Sequence, residues 1–326
     1  MDKTAKIYVA GHAGLVGSAV CRKLKADGYY NTLTRNRAEL DLTAQAAVQA
    51  FFRAERPEFV FLCAAKVGGI WANWTYPAQF IYQNLAIQTN VIHEAKNSGV
   101  KRLLFFGSSC IYPRDCAQPI REEYLLSGHL EHTNRPYAVA KIAGIEMCWA
   151  YNREYGAQYL AAMPTNLYGP GDDYDLETSH VLPALIRKMH EGKIHGASSV
   201  TLWGTGQPKR EFLYSDDLAD AAVYLMNLPD NEFSPLCAST AAPPLINIGY
   251  GEDLTIRELA ALVRMTIGFK GDIEWDLSKP DGTPRKLLDV TRLHRLGWKA
   301  RIGLGKGIGK AYEDYLDSQS VRVKHT

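Results

Sequence analysis

A short β-rich run at residues 6–10 opens directly onto glycines at positions 11, 14 and 17, and a helical pattern follows to about Ala26. Few folds can use that arrangement. Gly11 permits a tight turn, Gly14 lets the backbone approach a pyrophosphate, and Gly17 lets the helix pack closely on the strand. The helix start then offers free N–H groups and a positive dipole end. The same alternation continues along the chain, with strands expected at 31–34, 59–64, 102–107 and 159–163 and helices at 43–53, 82–98 and 136–155. The runs at 59–64 and 102–107 are apolar almost throughout, as strands covered on both faces must be. The expected fold is α/β, with a Rossmann-type doubly wound parallel sheet.

After about Pro170 the rhythm loosens. A polar loop at 172–179 leads to helices at 180–191, 216–227 and 256–267, with a short strand at 200–203. Residues 229–244 read as a surface linker and 318–326 as a loose tail. Residues 1–170 are therefore expected to form mainly the dinucleotide-binding domain, with later returns near 211–228 and 245–250. Residues 171–326 are expected to form mainly a smaller C-terminal α/β domain for substrate. Composition narrows the partners. Across 326 residues the formal net charge is only +2, so no global field argues for nucleic acid or a membrane surface. No apolar run approaches the ~20 residues of a membrane span. The first residues lack the layout of a signal peptide. Six cysteines stand apart without CxxC spacing, which points to a reduced cytoplasmic protein and away from a metal site.

Tyr137 and Lys141 are four apart, on one helix face, and Ser108 ends the strand before them. A phenol titrating near ~10 is a poor acid–base group at neutral pH. A neighbouring ammonium, with a positive nicotinamide, is expected to lower it. Ser108 can hydrogen-bond a carbonyl oxygen, so the trio suits hydride and proton transfer at a carbon–oxygen bond. The cofactor is expected to be NADPH. The end of the second strand reads Thr34-Arg35-Asn36-Arg37 with no carboxylate until Glu39, and arginine suits a 2′-phosphate. Asp41 and Leu42 are expected to flank the adenine. Hydride transfer has no use for Cys110, two residues after the serine.

Four stretches carry a resemblance to a known family. They are Ala64-Ala65-Lys66-Val67-Gly68-Gly69-Ile70, Gly107-Ser108-Ser109-Cys110-Ile111-Tyr112-Pro113, Pro164-Thr165-Asn166-Leu167-Tyr168-Gly169-Pro170, and the run from Lys279 through Pro280, Asp281 and Lys286 to Val290. The chain resembles the extended short-chain dehydrogenase/reductases that act on nucleotide sugars. Within them it is most similar to the branch that inverts C3 and C5 of GDP-4-keto-6-deoxymannose and then reduces C4. The resemblance implies Cys110 and His180 as the acid–base pair for the inversions, beside Ser108, Tyr137 and Lys141. It implies cofactor contacts at Gly11, His12, Gly14, Leu15, Val16, Gly17, Arg37, Asp41, Leu42, Ala64, Ala65, Lys141, Pro164, Asn166, Leu167 and His180. Lys188, Trp203, Arg210, Asp281 and Lys286 match positions that hold the GDP-sugar. Guanine is named by the resemblance alone, as is a homodimer formed through helices around 83–98 and 137–155. Members of the family can carry arginine where this chain has Ala13, which weakens the NADPH preference and leaves use of NADH open. Rivals on the same fold are an epimerase–reductase making a related sugar such as GDP-colitose, and a 4-epimerase or 4,6-dehydratase that recycles bound NAD.

Overall fold

The apolar strands bury both of their faces. In the computed structural model, which describes residues 1–279 and 281–323, the elements run β1 (Ile7–Ala10), α1 (Leu15–Ala26), β2 (Thr32–Leu33), α2 (Gln45–Glu55), β3 (Phe59–Leu62), α3 (Ile70–Thr75), α4 (Pro77–Asn97), β4 (Arg102–Phe106), α5 (Arg135–Tyr155), β5 (Tyr159–Pro164), β6 (Asn166–Tyr168), α6 (Val181–Ile194), β7 (Ser199–Trp203), β8 (Lys209–Tyr214), α7 (Ser215–Asn227), α8 (Asp230–Cys237), β9 (Leu245–Ile248), β10 (Asp253–Thr255), α9 (Ile256–Ile267), β11 (Asp272–Asp276), β12 (Arg285–Lys286), α10 (Thr291–Arg295) and α11 (Leu304–Val323). Six strands form one parallel sheet in the order β2-β1-β3-β4-β5-β9. Side chains alternate across it with period two. Ile7, Val9, Leu104 and Phe106 enter the core shared with α1 and α7. Tyr8, Ala10, Leu103 and Phe105 enter the opposite core, under α2, α4 and α5. Truncating a fully buried ring, such as Phe61 in the first core or Phe105 in the second, costs about 3–5 kcal/mol. The sheet is doubly wound, as the sequence predicts.

A third core lies between α6, α9 and α11, around Leu185, Met189, Val263 and Ile308. Beside it, β8 pairs antiparallel with β10 and parallel with β6 and β12, while β7 pairs with β11. The chain returns to the large sheet twice after residue 170, since α7 packs in the core with α1 and β9 becomes the sixth strand.

Three local readings of the sequence need correction. Residues 229–244 are not all linker: Asp230–Cys237 is helical, with Phe233 and Cys237 buried four apart on its inner face. The buried Arg102 guanidinium lies 4.1 Å over the Phe233 ring and 2.5 Å from Asp230. The expected tail is helical to Val323 as the end of α11, and 324–326 lie outside the described residues, as does Pro280 of the fourth resembling stretch. Helix α4 begins at Pro77, whose fixed φ and missing N–H suit a first helical turn, five residues before the expected start. Among the described residues no helix is long and apolar enough to cross a membrane.

Candidate active site

The strand order reverses between β1 and β3, because the chain visits β2 on one side of β1 and then crosses to the other. Parallel sheets bind ligands at such a switch point, beyond the carboxyl ends of the strands. Gly11 follows β1 there and Ala64 follows β3. At φ +84°, a Cβ on Gly11 would fall 2.7 Å from the Ala64 backbone, and one on Gly17 would fall 2.1 Å from the Gly11 carbonyl oxygen. Both glycines are therefore demanded by packing. Gly14 is different. A Cβ there would meet only the Gly11 oxygen, at 3.7 Å, so the space above it is open. Gly14 is the cap of α1, no side chain caps that helix, and its first turn carries no acidic residue. The Nδ1 of His12 is buried with no hydrogen-bond partner. Free amides, a positive dipole end and an orphaned ring nitrogen form a cradle that fits the pyrophosphate of a dinucleotide.

The adenosine end is partly as expected. Arg37 is exposed. Arg35 is not free for a phosphate, because its guanidinium is 2.8 Å from Glu55 and bonds the Thr34 carbonyl. The Glu39 carboxylate is turned back onto the Asn36 N–H, at 2.7 Å. Asp41 accepts from the Thr43 N–H and hydroxyl, which lowers its pKa, and the Leu42 carbonyl accepts from Asn90. On the nicotinamide side the loop carrying Ala64 and Ala65 is fixed by Asn84, which bonds both the N–H and the C=O of Lys66 at 3.0 Å. Pro164 ends β5, and Asn166 donates to the Glu211 carbonyl at 2.8 Å. Leu167 packs half-buried beside it.

Ser108 stands at the end of β4 and caps the short turn 109–111, accepting weakly from the Cys110 N–H at 3.4 Å. Tyr137 lies two residues into α5, edge-on to Phe80 at 6.1 Å. Lys141, one turn on, is 2% exposed and donates to the Phe106 carbonyl at 2.8 Å. Its Nζ is 5.8 Å from the centre of the Tyr137 ring. Burial lowers the lysine pKa to about 8, with Cys110 and Cys63 acting to raise it. The expected depression of the phenol is absent. Burial pushes the Tyr137 pKa up, Cys110 adds to the rise, and only the Ser108 hydroxyl pulls it down. Cys110, 5% exposed, belongs to the same cluster; burial raises its thiol pKa, while Lys286, then the Ser108 hydroxyl and Lys141, act the other way.

His180 occupies the N-cap position of α6 without a side-chain capping bond. The segment before it touches the loop after β3, the Gly69 N–H bonding the Thr178 carbonyl at 3.0 Å. The imidazole is open to solvent yet flanked by protein on most sides, and the lost hydration lowers its pKa, with Asp173 opposing. No contact joins it to Cys110 or Tyr137 among the described residues. Around β8 the cationic positions gather. The Lys188 Nζ is 5.9 Å from the Trp203 ring and bonds the Thr201 carbonyl, and the Lys279 Nζ is 5.5 Å from that ring. Trp203 is 62% exposed, so its face is available. Arg210 bonds the Thr283 and Lys209 carbonyls, and Lys286 pairs with it across β12 and β8. Asp281 accepts from the Thr205 N–H and hydroxyl at 2.9 and 2.6 Å, which makes it a brace for the turn after Trp203.

Residues 7–249 match the NAD dependent epimerase/dehydratase family. The chain belongs to that family. Among curated relatives, GDP-L-fucose synthase 1 of Arabidopsis thaliana is 55% identical over 315 residues, covering 97% of this chain and 94% of the relative. GDP-L-fucose synthase of Escherichia coli K12 is 51% identical, covering 96% and 97%. GDP-L-colitose synthase of Yersinia pseudotuberculosis is 37% identical, covering 97% and 99%. Among solved structures, MlghC, a GDP-mannoheptose C4 reductase from Campylobacter jejuni with NADP bound, superposes with a TM-score of 0.87 at 42% identity, covering 97% of this chain and 99% of that one.

In this member of the epimerase/dehydratase family, sequence reasoning passed over two buried residues that join the halves of the site. Glu211 is 0% exposed, and its carboxylate accepts from Gly251 N–H at 2.7 Å and Leu288 N–H at 3.0 Å. Burial raises its pKa while those bonds lower it. Asn247, also 0% exposed, accepts from the Tyr112 hydroxyl at 2.6 Å and donates to the Ile120 and Asp289 carbonyls. A carboxylate inside the apolar run Phe212–Tyr214's strand and an amide inside Leu245–Ile248 were the available signals.

Proposed function

We propose that this protein catalyses 3,5-epimerisation and NADPH-dependent 4-reduction of GDP-4-keto-6-deoxy-D-mannose, giving GDP-L-fucose. The observation that carries the reading is Cys110 in one buried cluster with Ser108, Tyr137 and Lys141. A reductase alone needs the trio and not the thiol. Identity of 51–55% to GDP-L-fucose synthases, against 37% to a GDP-L-colitose synthase, supports the substrate.

In this reading Gly11, His12, Gly14, Leu15, Val16 and Gly17 hold the pyrophosphate, and Arg37 meets the 2′-phosphate. Asp41, Leu42, Ala64 and Ala65, then Pro164, Asn166 and Leu167, line the rest of the cofactor. When bound, NADPH supplies hydride to C4. Ser108 and Tyr137 donate hydrogen bonds to the C4 oxygen, which makes the C3 and C5 protons acidic and stabilises the enolate. Cys110 and His180 share the inversions: one takes the α-proton, the C–H pair passing into the enolate, and the other returns a proton to the opposite face. The proton that burial keeps on Tyr137 is then delivered to the C4 oxygen as reduction completes. Lys141 orients that helix face through its bond to Phe106. Lys188, Arg210 and Lys286 supply positive charge for the diphosphate and Trp203 a flat face for a ring, with Asp281 bracing the turn.

The same reading assigns the cofactor mainly to 1–170, with returns near 211–228 and 245–250, and the GDP-sugar mainly to 171–326. It places the protein in the cytoplasm as a homodimer, with the exposed Tyr82, Val139 and Tyr155 of α4 and α5 suited to a subunit contact. The test is NMR analysis of the product from GDP-4-keto-6-deoxymannose and NADPH. GDP-L-fucose with one NADPH consumed per sugar is expected. Reduction without inversion, recycled cofactor, or strong preference for the 3-deoxy analogue would each replace the proposal.

A further inference from the structure

Residues 171–179 run between the two walls of the glycine-turn cradle. At one end Gly171 lies against α1, one turn past Gly14: a Cβ on it would sit 3.6 Å from the Ser18 hydroxyl. Its N–H bonds the Asp314 carboxylate of α11 at 3.0 Å. At the other end the Thr178 carbonyl accepts from the Gly69 N–H at 3.0 Å, on the loop that leaves β3 through Ala64 and Ala65. A Cβ on Gly69 would fall 3.0 Å from the Ser179 carbonyl oxygen, so a larger residue would push the two segments apart. Between these anchors the segment braces itself. The Thr178 hydroxyl donates to Asp173 at 2.6 Å, and Asp175 accepts from the Glu177 and Thr178 N–H groups. Gly169 at φ +148° and Gly171 at φ +82° stand where it leaves β6, in conformations open to glycine. A self-braced segment with glycines at its root can lift as one piece.

One carboxyl in this segment has no answer to its charge. Asp172 is half-buried as a residue, but its Oδ2 is enclosed and has no hydrogen-bond partner. The other oxygen accepts from the Asp173 N–H at 2.8 Å. The charged groups acting on Asp172 are Asp173 on its own segment and Asp314 on α11, both negative. Tyr174 beside it is committed to the Ala311 carbonyl at 2.9 Å. Arg22 of α1 is paired with Asp216, and Arg187 of α6 with Glu191. An enclosed carboxylate without a cation is costly. Burial raises the Asp172 pKa to about 7 from an ordinary 3.8; the Asp173 N–H opposes the rise, and the Asp173 and Asp314 carboxylates add to it.

We propose that residues 171–179 are a strap that closes over the bound dinucleotide, and that Asp172 is the positioning residue that sets how firmly it closes. The proposal rests on the glycine turn as a dinucleotide cradle and not on the identity of the sugar. With its proton on, Asp172 lies neutral beside Asp314, and the anchors at Gly171 and Thr178 hold. Ionised, it needs water, which it gains when the strap lifts. In the lifted strap the carboxyl regains its ordinary value of 3.8. Between that value and about 7 the open form releases a proton that the closed form keeps. Closure therefore weakens as pH rises through this window, by at most about tenfold per pH unit, and levels off above it.

The probe is NADP+, the acid-stable form of the cofactor. Its Kd is measured by calorimetry from about pH 5 to about pH 8.5 for the native chain and for Asp172→Asn, which is neutral throughout. Ionisation of the 2′-phosphate is common to both and cancels in the ratio of the two Kd values. That ratio, native over variant, should climb about tenfold or more between roughly pH 5 and pH 7 and then stay constant. Asp314→Asn keeps an acceptor for the Gly171 N–H and should move the end of the climb to lower pH; it carries the test if Asp172→Asn does not fold. In the ligand-free protein, hydrogen exchange at the Gly69 amide, corrected for its intrinsic rate, should quicken over the same window and lose that dependence in Asp172→Asn. A Kd ratio constant across the whole range would overturn the proposal. So would exchange that follows Asp172 while the Kd ratio does not, since the strap would then not lie over the cofactor. NADP+ that binds at no pH would remove the cradle reading, while exchange in the ligand-free protein still tests Asp172 by itself.

Discussion

At the glycine turn the protein presents backbone, and around Trp203 it presents side chains. Gly11 and Gly17 are locked by contacts of 2.7 and 2.1 Å that no Cβ could survive, and the groups offered to a ligand are amides at the start of α1. Around β8 the offered groups are Lys188, Lys279, Arg210 and an exposed indole, with Lys188 held by the Thr201 carbonyl and Arg210 by the Thr283 carbonyl. A backbone site tolerates no substitution at its hinge and is nearly indifferent to the charges around it. A side-chain site tolerates substitution one residue at a time and should respond to salt.

The largest expected effect lies between the two regions. Tyr137→Phe should lower reduction by about 10²–10⁴-fold while NADPH affinity, measured by fluorescence titration, changes little. A fully active variant would remove the phenol as the acid. Gly17→Val should break the backbone site outright. Its branched side chain meets the Gly11 carbonyl, so overpacking costs about 1–3 kcal/mol or more and NADPH binding should disappear; a variant that binds normally would show the turn to be adaptable. Arg210→Met should raise KM for the GDP-sugar roughly ten- to a hundredfold, the equivalent of one charge-assisted bond of about 1.5–3 kcal/mol, with melting temperature and kcat nearly unchanged. Loss of folding instead would mean that the two regions are built alike. The smallest effect concerns Lys141. Its pKa is about 8 in the folded protein against an ordinary 10.5. Between those values the unfolded chain binds more protons, so the lysine's contribution to stability rises with pH across that window. Lys141→Met should remove that rise, read as the change in urea midpoint between pH 8 and pH 10. An identical pH dependence in both proteins would place the lysine outside this balance.

The same contrast explains what could be read from the sequence. The glycine spacing and the apolar runs were legible because backbone geometry and two-sided burial restrict residue type directly. Ser108, Tyr137 and Lys141 followed from spacing and known chemistry. Cys110, His180 and the cations around β8 came only through resemblance, since a buried thiol or a surface lysine has no spacing of its own. Other features were hidden by tertiary competition. Arg35 was expected to be free for a phosphate, but Glu55 on α2 claims it. Helix α8 was obscured by its proline and short length, and forms because Phe233 and Cys237 find the core. Glu211 and Asn247 gain their meaning only once β8, β9 and the strand at Arg285–Lys286 are side by side.

The sixth strand has a consequence for how the chain emerges during synthesis. About 80 residues separate the end of β5 from β9, which alone covers that edge of the sheet. At roughly 5–20 residues per second, the ribosome leaves β5 with an unpaired edge for several seconds. Throughout that interval a nascent Rossmann core with its glycine turn complete carries an open template for mispairing, and Pro164 at the strand's end is the one residue of β5 that offers no N–H to an intruder.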